Sequence, residues 1–504
     1  AVRQGIEIYE CREALVRETI PASRATLGWL SKRKYRAGIT EAWRKRQGGR
    51  SGFSIVLSAL LQCLVEGIKA GVTGLYGLKH LRNRFWLKAC RSAGVMAGML
   101  GAKVDSYRKI DSWGESVAIR NVVLYSQTLP PVHVGGIETN AFYLVQYLSG
   151  KTSLNLSIVT ATKRKFLLRS TLPLQYGNVR CKAHLVRKKV TKDPARITAY
   201  LDALGFKPQE TVVYHNSLDL YKSYAALKAR GYHQVARSGG NDLSFLQKNA
   251  GDTRSFCTAL AQLDRLFVNS DYSRLRAESI GLSTATLHVV KGGCEVVGRQ
   301  PMQREQLGLP ADRPLIVSCG RLVDFKGLDD ALSAIAILKK RGKRPLFVMV
   351  GEGALEADLK QYAAELGIDS CCHFVGKLEP ARVFDYYHSA DIYLSSSKEV
   401  VRNIDGFRYT HTETMGRSIC EAQGCGLPVV TTDAGGAPEM VLDGKTGLVV
   451  PQGNADAMAV ALASLIDDAR ARRAMGEAAL QYARQQLGWD AVLGQYVKVM
   501  TSLA

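Results

Sequence analysis

The sequence predicts an α/β protein made of two Rossmann-like domains behind an N-terminal helical extension. Three observations predict it. From Asn121 onward, short β-rich apolar runs alternate with helix-like stretches, the pattern of a parallel, doubly wound sheet. That alternation stops at a polar segment carrying Pro301, Pro310 and Pro314, then restarts. The chain, at 504 residues, also exceeds what one hydrophobic core holds, so two or three domains are expected.

Residues 1–115 read as a basic helical extension. Arg, Lys, Leu and Ala are frequent there, turn signals are sparse, and cations cluster at 32–36 and 44–46. The most apolar stretch, Phe53 to Val65, is thirteen residues long. A membrane span needs about 20. Flanked by Arg46, Arg50, Lys69, Lys79, Arg82 and Arg84, the stretch suits an amphipathic helix lying in a membrane interface. A buried helix packed on the next domain and a true span are the alternatives.

The first Rossmann-like domain, residues 116–300, opens on the strand 121–126. The turn 130–136 leads into a helix over 137–148, and a strand follows at 154–160. Further strands are expected at 211–214, 234–236, 266–268 and 287–290. The second domain, 301–480, has strands expected at 315–319, 346–350, 372–375, 392–394, 429–431 and 447–450. Helices are expected at 328–341, 355–366, 381–388, 418–424 and 455–467. Residues 481–504 continue as a helix with Trp489, Tyr496 and Val499 on packing positions. No short-period repeat appears, which disfavours a solenoid.

Charge narrows the function. The formal net charge is +23, and residues 1–120 hold 22 Lys/Arg against 9 Asp/Glu, while residues 301–504 hold 22 against 25. All the excess therefore lies in the first 300 residues, where an anionic membrane, an anionic substrate or nucleic acid could use it. No zinc-finger, RNP-like or helix-turn-helix pattern accompanies it, so no nucleic-acid partner is expected. The eleven scattered cysteines form no C-x-x-C pair, and no secretory pattern opens the sequence. A cytoplasmic protein, peripheral on the cytoplasmic face of the membrane, is the expectation.

Two segments carry chemistry. Cys319–Gly327 follows a strand directly, which is where doubly wound folds bind ligands. Arg321 and Lys326 there present two cations that suit a diphosphate. Glu413 to Glu421 brackets a glycine at an expected helix start, Gly416, whose free N–H groups and positive dipole end would face the same crevice. Glu413 could accept hydrogen bonds from sugar hydroxyls, and Glu421 from a ribose diol.

Taken in order, these motifs resemble the retaining GT-B glycosyltransferases of family GT4, from about Asn121 to Leu487. The matching segments are G-G-I-E at 135–138, V-N-S at 268–270, G-R-L…K-G at 320–327 and V-G-E-G at 350–353. The Glu413/Glu421 pair, G-L-P-V-V at 426–430 and G-G-A-P-E at 435–439 complete them. The resemblance implies two Rossmann-like domains facing across a cleft, with the C-terminal helix crossing back to the first. It implies that Arg321 and Lys326 hold the nucleotide diphosphate as leaving group, that Glu421 binds ribose and that Glu413 lies by the donor sugar. Gly416, Arg417 and Ser418 would contact sugar and phosphate, Gly135 and Gly136 would approach the phosphates, and His215 would lie near the reacting sugar. No Asp-x-Asp metal site is evident near these motifs, and no cofactor is expected beyond the nucleotide-sugar donor.

The sequence departs from the family in three places. Fifteen residues, 398–412, separate Ser397 from Glu413 where the family has a few, and they carry Arg402, Arg408 and His411. Arg417 and Ser418 replace commonly apolar residues. Arg237–Asp242 stands where many relatives have a histidine. The expected function is retaining, metal-independent transfer of a hexose-type sugar to a cell-surface glycan or lipid-linked acceptor. A GT-B epimerase or phosphorylase, or a silent sugar-nucleotide or nucleic-acid-binding module, are the other readings.

Overall fold

A computed structural model describes residues 52–75, 88–90, 92–93, 118–126, 136–162, 171–176, 179–187, 190, 193–218, 220–240, 243, 253–300, 302–404 and 407–503. The chain forms two compact units, residues 1–116 and 117–504. In the first unit, helix α1 (Gly52–Leu75) is the principal described element. Among its described side chains Leu57, Leu60, Leu61, Leu64, Val65 and Ile68 are exposed. No described helix is long and apolar enough to cross a membrane.

The second unit holds two sheets. The first contains β1 (Asn121–Ser126), β2 (Asn155–Thr162), β3 (Thr171–Tyr176), β4 (Val179–Arg187), β5 (Thr211–His215), β6 (His233–Arg237), β7 (Arg265–Val268) and β8 (Leu287–Val289). Their order is β3-β4-β2-β1-β5-β6-β7-β8, parallel throughout except for β3 against β4. Helices α2 (Gly136–Lys151), α3 (Pro194–Ala203), α4 (Tyr224–Ala229), α5 (Thr253–Leu260) and α6 (Asp271–Ser279) connect them. The period of two in an extended chain divides the core cleanly. On β1, Val122 and Leu124 face a cluster with Leu144 and Leu148 of α2, while Val123 and Tyr125 face one with Tyr224 of α4 and Phe256 of α5.

The second sheet runs β11-β10-β9-β12-β15-β16, all parallel. Its strands are β9 (Leu315–Cys319), β10 (Leu346–Val350), β11 (Cys372–Gly376), β12 (Ile392–Ser395), β15 (Val429–Thr432) and β16 (Gly447–Val450). Helices α7 (Leu328–Lys340), α8 (Glu356–Glu365), α9 (Pro380–Ser389), α10 (Arg417–Gly424) and α11 (Ala455–Asp467) cover it.

Three features differ from the sequence expectation. The β3–β4 hairpin occupies a stretch for which no strand is expected. The segment after Ser397 is a paired hairpin rather than a loop, β13 (Val400–Ile404) against β14 (Phe407–His411). The C-terminal helix is broken: α12 (Ala469–Tyr482) passes through a π turn at Ala483–Leu487, and α13 (Trp489–Thr501) starts after Gly488. Extended backbone at Gly488 (φ −67°, ψ 152°) ends the first helix there. Helix α13 then packs on the first sheet's core, with Tyr496 stacked on Phe267 at 4.4 Å between ring centroids.

Candidate active site

Doubly wound sheets gather their loops at the carboxyl ends of the strands. Here the two sheets bring those ends together around a cavity of about 500 Å³. Arg321, Lys326, Glu413, Gly416, Arg417, Ser418 and Glu421 of the second lobe all line it. The first lobe contributes Arg237 from the end of β6, Asn269 just past β7, and Gly292–Gly293 after β8; Trp489 comes from α13.

The loop after β9 is shaped by two glycines. Gly320 turns the chain beside the Lys326 side chain, and a Cβ there would sit 3.4 Å from Nζ. Gly327 adopts φ +58°, and a Cβ on it would come within 2.0 Å of the Ser396 carbonyl oxygen. Between them a 3₁₀ turn at Asp324–Lys326 aims Lys326 at Glu413, Nζ to Oε2, at 2.5 Å. The Arg321 guanidinium has no ion-pair or hydrogen-bond partner among the described residues, and it lines the cavity.

Helix α10 provides the facing wall. Gly416 caps it at φ +88°, a left-handed conformation that favours glycine, and a Cβ would approach Ile419 Cδ1 to 2.6 Å. The Gly416 N–H donates to Glu413 Oε1 at 3.1 Å. Burial alone would raise the Glu413 pKa. The Lys326 charge and hydrogen bond, with the Gly416 and Met415 N–H groups, outweigh burial and hold the carboxyl below its usual range. One and a half turns on, burial raises the Glu421 carboxyl above its usual range. Arg417 (Nε to Oε1, 3.3 Å) and the Tyr387 hydroxyl, donating to Oε2 at 3.2 Å, pull the other way. Glu421 is therefore a held acceptor for hydroxyl donors, and Glu413 a fixed anion beside a fixed cation.

Two of the remaining expected residues, His215 and Gly136, are described and do not line the cavity. His215 ends β5. It is fully buried with its ring 4.6 Å from that of Tyr224, and Nε2 lies 3.3 Å from Gln234 Oε1. Burial pushes its pKa down to about 4 against the Gln234 bond, so the ring is neutral near pH 7. Gly135 lies outside the described residues, and Gly136 opens α2.

The structure adds residues that the sequence did not single out for the site. Arg237 is a further cation in the cavity wall, visible in the sequence only as part of a departure from the family. Asn269 Nδ2 donates to Thr414 Oγ1 at 3.2 Å, tying the first lobe to the residue beside Glu413. From the hairpin, one Arg402 nitrogen reaches both Asp324 carboxylate oxygens, at 2.7 and 2.8 Å, and His411 packs on Phe325 with ring centroids 4.3 Å apart. The insertion thus braces the turn that carries Lys326.

Residues 299–482 match the family model described as glycosyl transferases group 1. A GDP-mannose-dependent alpha-(1-6)-phosphatidylinositol monomannoside mannosyltransferase from Mycolicibacterium smegmatis is 34% identical over 227 residues, 44% of this chain and 57% of that enzyme. A D-inositol 3-phosphate glycosyltransferase from Corynebacterium jeikeium is 31% identical over 51% of this chain and 62% of that enzyme. The chain thus spans less than two thirds of the length of these relatives. Among solved structures, HepE of Anabaena in complex with UDP has a TM-score of 0.59 at 17% identity, covering 76% of this chain and 100% of that one. Sucrose-phosphate synthase from Thermosynechococcus elongatus has a TM-score of 0.59 at 17% identity, covering 76% and 99%. These likenesses show the fold, and the family model covers the lobe holding Arg321, Lys326, Glu413 and Glu421. The chain has the GT-B fold, and its second lobe is similar to the glycosyl transferases group 1 over residues 299–482.

Proposed function

We propose that this chain transfers a hexose-type sugar from a nucleotide-diphosphate donor to a cell-surface glycan or lipid-linked acceptor, with retention of configuration. One observation carries the reading: Arg321, Lys326, Glu413 and Glu421 line a single cavity between two Rossmann-like lobes, with the N-terminus of α10 in its wall. Breaking a sugar–phosphate bond builds negative charge on the leaving diphosphate. Preorganised cations and helix-end N–H groups in a confined site are the strongest available stabilisers of that charge. The Glu421 carboxylate takes the ribose hydroxyls, and Glu413 takes hydroxyls of the donor sugar.

The state of Glu413 favours one route. Its oxygens are occupied by Lys326 and a backbone N–H, which leaves it a poor nucleophile and a poor base. In the proposed step the acceptor oxygen bonds to the anomeric carbon on the face the diphosphate leaves. The acceptor's proton passes to a departing phosphate oxygen, and configuration is retained. The names of the two relatives support GDP-mannose as the first donor to try and an inositol-containing acceptor as the first acceptor class.

A thermal-shift panel of GDP-, UDP- and ADP-sugars identifies the donor, since a ligand that binds only the folded state stabilises it by mass action. With that donor, Lys326→Ala and Arg321→Ala each lower the rate of transfer, or of slow donor hydrolysis, by about 10²–10³-fold. Unchanged turnover in both variants would remove the phosphate assignment.

A further inference from the structure

Helix α1 is amphipathic in the reverse sense of a soluble helix. Leu57, Leu60, Leu61, Leu64, Val65 and Ile68 recur at helical spacing and form one stripe. All six are exposed, Leu61 at 55%, Leu64 at 56% and Ile68 at 65%. The opposite face is buried and small or polar: Ala59, Glu66 and Ala70, with Cys63 beside it. Cys63 Sγ donates to the Ala89 carbonyl at 3.6 Å, and Glu66 pairs with Lys69 and Lys88 at 3.7 and 3.8 Å. The inward face thus carries the small and polar side chains, and the larger apolar surface points to solvent.

Isolated exposed leucines need no explanation, but a contiguous stripe of six does. We infer that this stripe is a docking surface for an anionic lipid leaflet, with α1 lying in the interface plane. Charge selects this occupant over a second copy of the chain. Residues 1–120 carry 22 Lys/Arg against 9 Asp/Glu, so apposing two copies brings like charges together. An anionic leaflet instead attracts nearby Lys and Arg while the stripe enters the acyl boundary. At 24 residues the helix is about 36 Å long, enough to bury the whole stripe lying flat. The inference is independent of the donor-site reading, because none of these residues belongs to the cavity.

The test is flotation of the full chain with vesicles of phosphatidylcholine alone and of phosphatidylcholine with phosphatidylglycerol, at low and high salt. Wild type is expected to float with the anionic vesicles and to be weakened by salt. Leu61→Gln/Leu64→Gln is expected to lower that binding about tenfold, and Leu61→Phe/Leu64→Phe to retain it. Donor-induced thermal stabilisation, read on the same proteins, should be equal in all three. Wild type binding both vesicle types equally at both salts would overturn the inference. So would undiminished flotation of the glutamine variant, or its change from dimer to monomer in sedimentation with flotation unaltered.

Discussion

A histidine ending a parallel strand has two possible fates, since the strand's last residue either opens into the crevice or stays under the covering helices. His215 has the second. Its ring lies against Tyr224, Nε2 faces Gln234, and Nδ1 has no hydrogen-bond partner among the described residues. The consequence is thermodynamic. The folded pKa is about 4 and the unfolded value about 6.5, so below pH 6.5 the unfolded chain binds a proton that the folded chain refuses. The stability this group contributes is complete above pH 6.5 and is lost as pH falls toward 4, by about 3 kcal/mol in all. His215→Gln should flatten that part of the stability profile in denaturant titrations between pH 7 and 4. Its kcat at pH 7.5 should stay within a few-fold of wild type, because the side chain does not reach the cavity. Matching pH slopes in the two proteins, or a collapse of kcat in the variant, would contradict this assignment. The contrast with Glu413 is instructive. That residue is half-buried and sits against Lys326 and two N–H groups, so it keeps its charge where His215 cannot.

The elements legible in the sequence are those buried on both faces. On β1, residues 122–126 are all buried, and on β10 all five residues are, so each reads as an unbroken apolar run. Both hairpins break that rule. The β3–β4 pair carries Pro173, Arg180 and Lys182, and antiparallel pairing at a sheet edge asks for no continuous apolar run. The β13–β14 pair exposes Val401 and alternates it with Arg402, a pattern that reads as a polar loop until the partner strand is known. The site divides the same way. Arg321, Lys326, Glu413 and Glu421 were legible because each sits in a short motif at a strand end or helix start. Arg237 and Asn269 were not, because their role depends on how β6 and β7 fall in the sheet order. The hairpin's chemistry follows from its anchor: Arg402 holds Asp324, and Asp324 begins the turn that ends at Lys326. Arg402→Ala is expected to lower kcat about tenfold with little change in melting temperature, since a half-exposed ion pair contributes at most about 1 kcal/mol. Arg402→Lys should recover part of the rate. A variant with normal kcat would show that the turn holds its shape unaided.

At the scale of the whole two-lobed unit, residues 117–504, two contacts keep the lobes registered around the cavity they share. On one side the chain crosses twice, and the crossings bond to each other. Gly293 N–H donates to the Leu487 carbonyl at 2.8 Å, and Trp489 N–H to the Cys294 carbonyl at 3.1 Å. A Cβ on Gly292 would lie 2.7 Å from the Leu487 backbone, so the two crossings pack in direct backbone contact and together form the hinge between the lobes. A separate tie is non-covalent. Glu439, in the G-G-A-P-E segment of the second lobe, accepts from the Asp271 and Tyr272 N–H groups at 2.7 Å each, which caps the N-terminus of α6 in the first lobe. Lys291 completes it, 2.8 Å from Glu439 and 2.9 Å from Asp271. A carboxylate capping a helix N-terminus gains both hydrogen bonds and the dipole. Because this contact joins two lobes rather than two parts of one core, losing it should change their spacing more than their folding. Glu439→Gln keeps the shape but gives up the charge and one of the two acceptor oxygens. Its scattering radius without donor is expected to exceed that of wild type, and the difference to shrink when donor is added. The KM for donor should rise about tenfold, the size of one charge-assisted hydrogen bond, with each lobe's thermal stability little changed. An unchanged radius together with an unchanged KM would mean that the hinge alone sets the spacing and that the cap on α6 is only local structure.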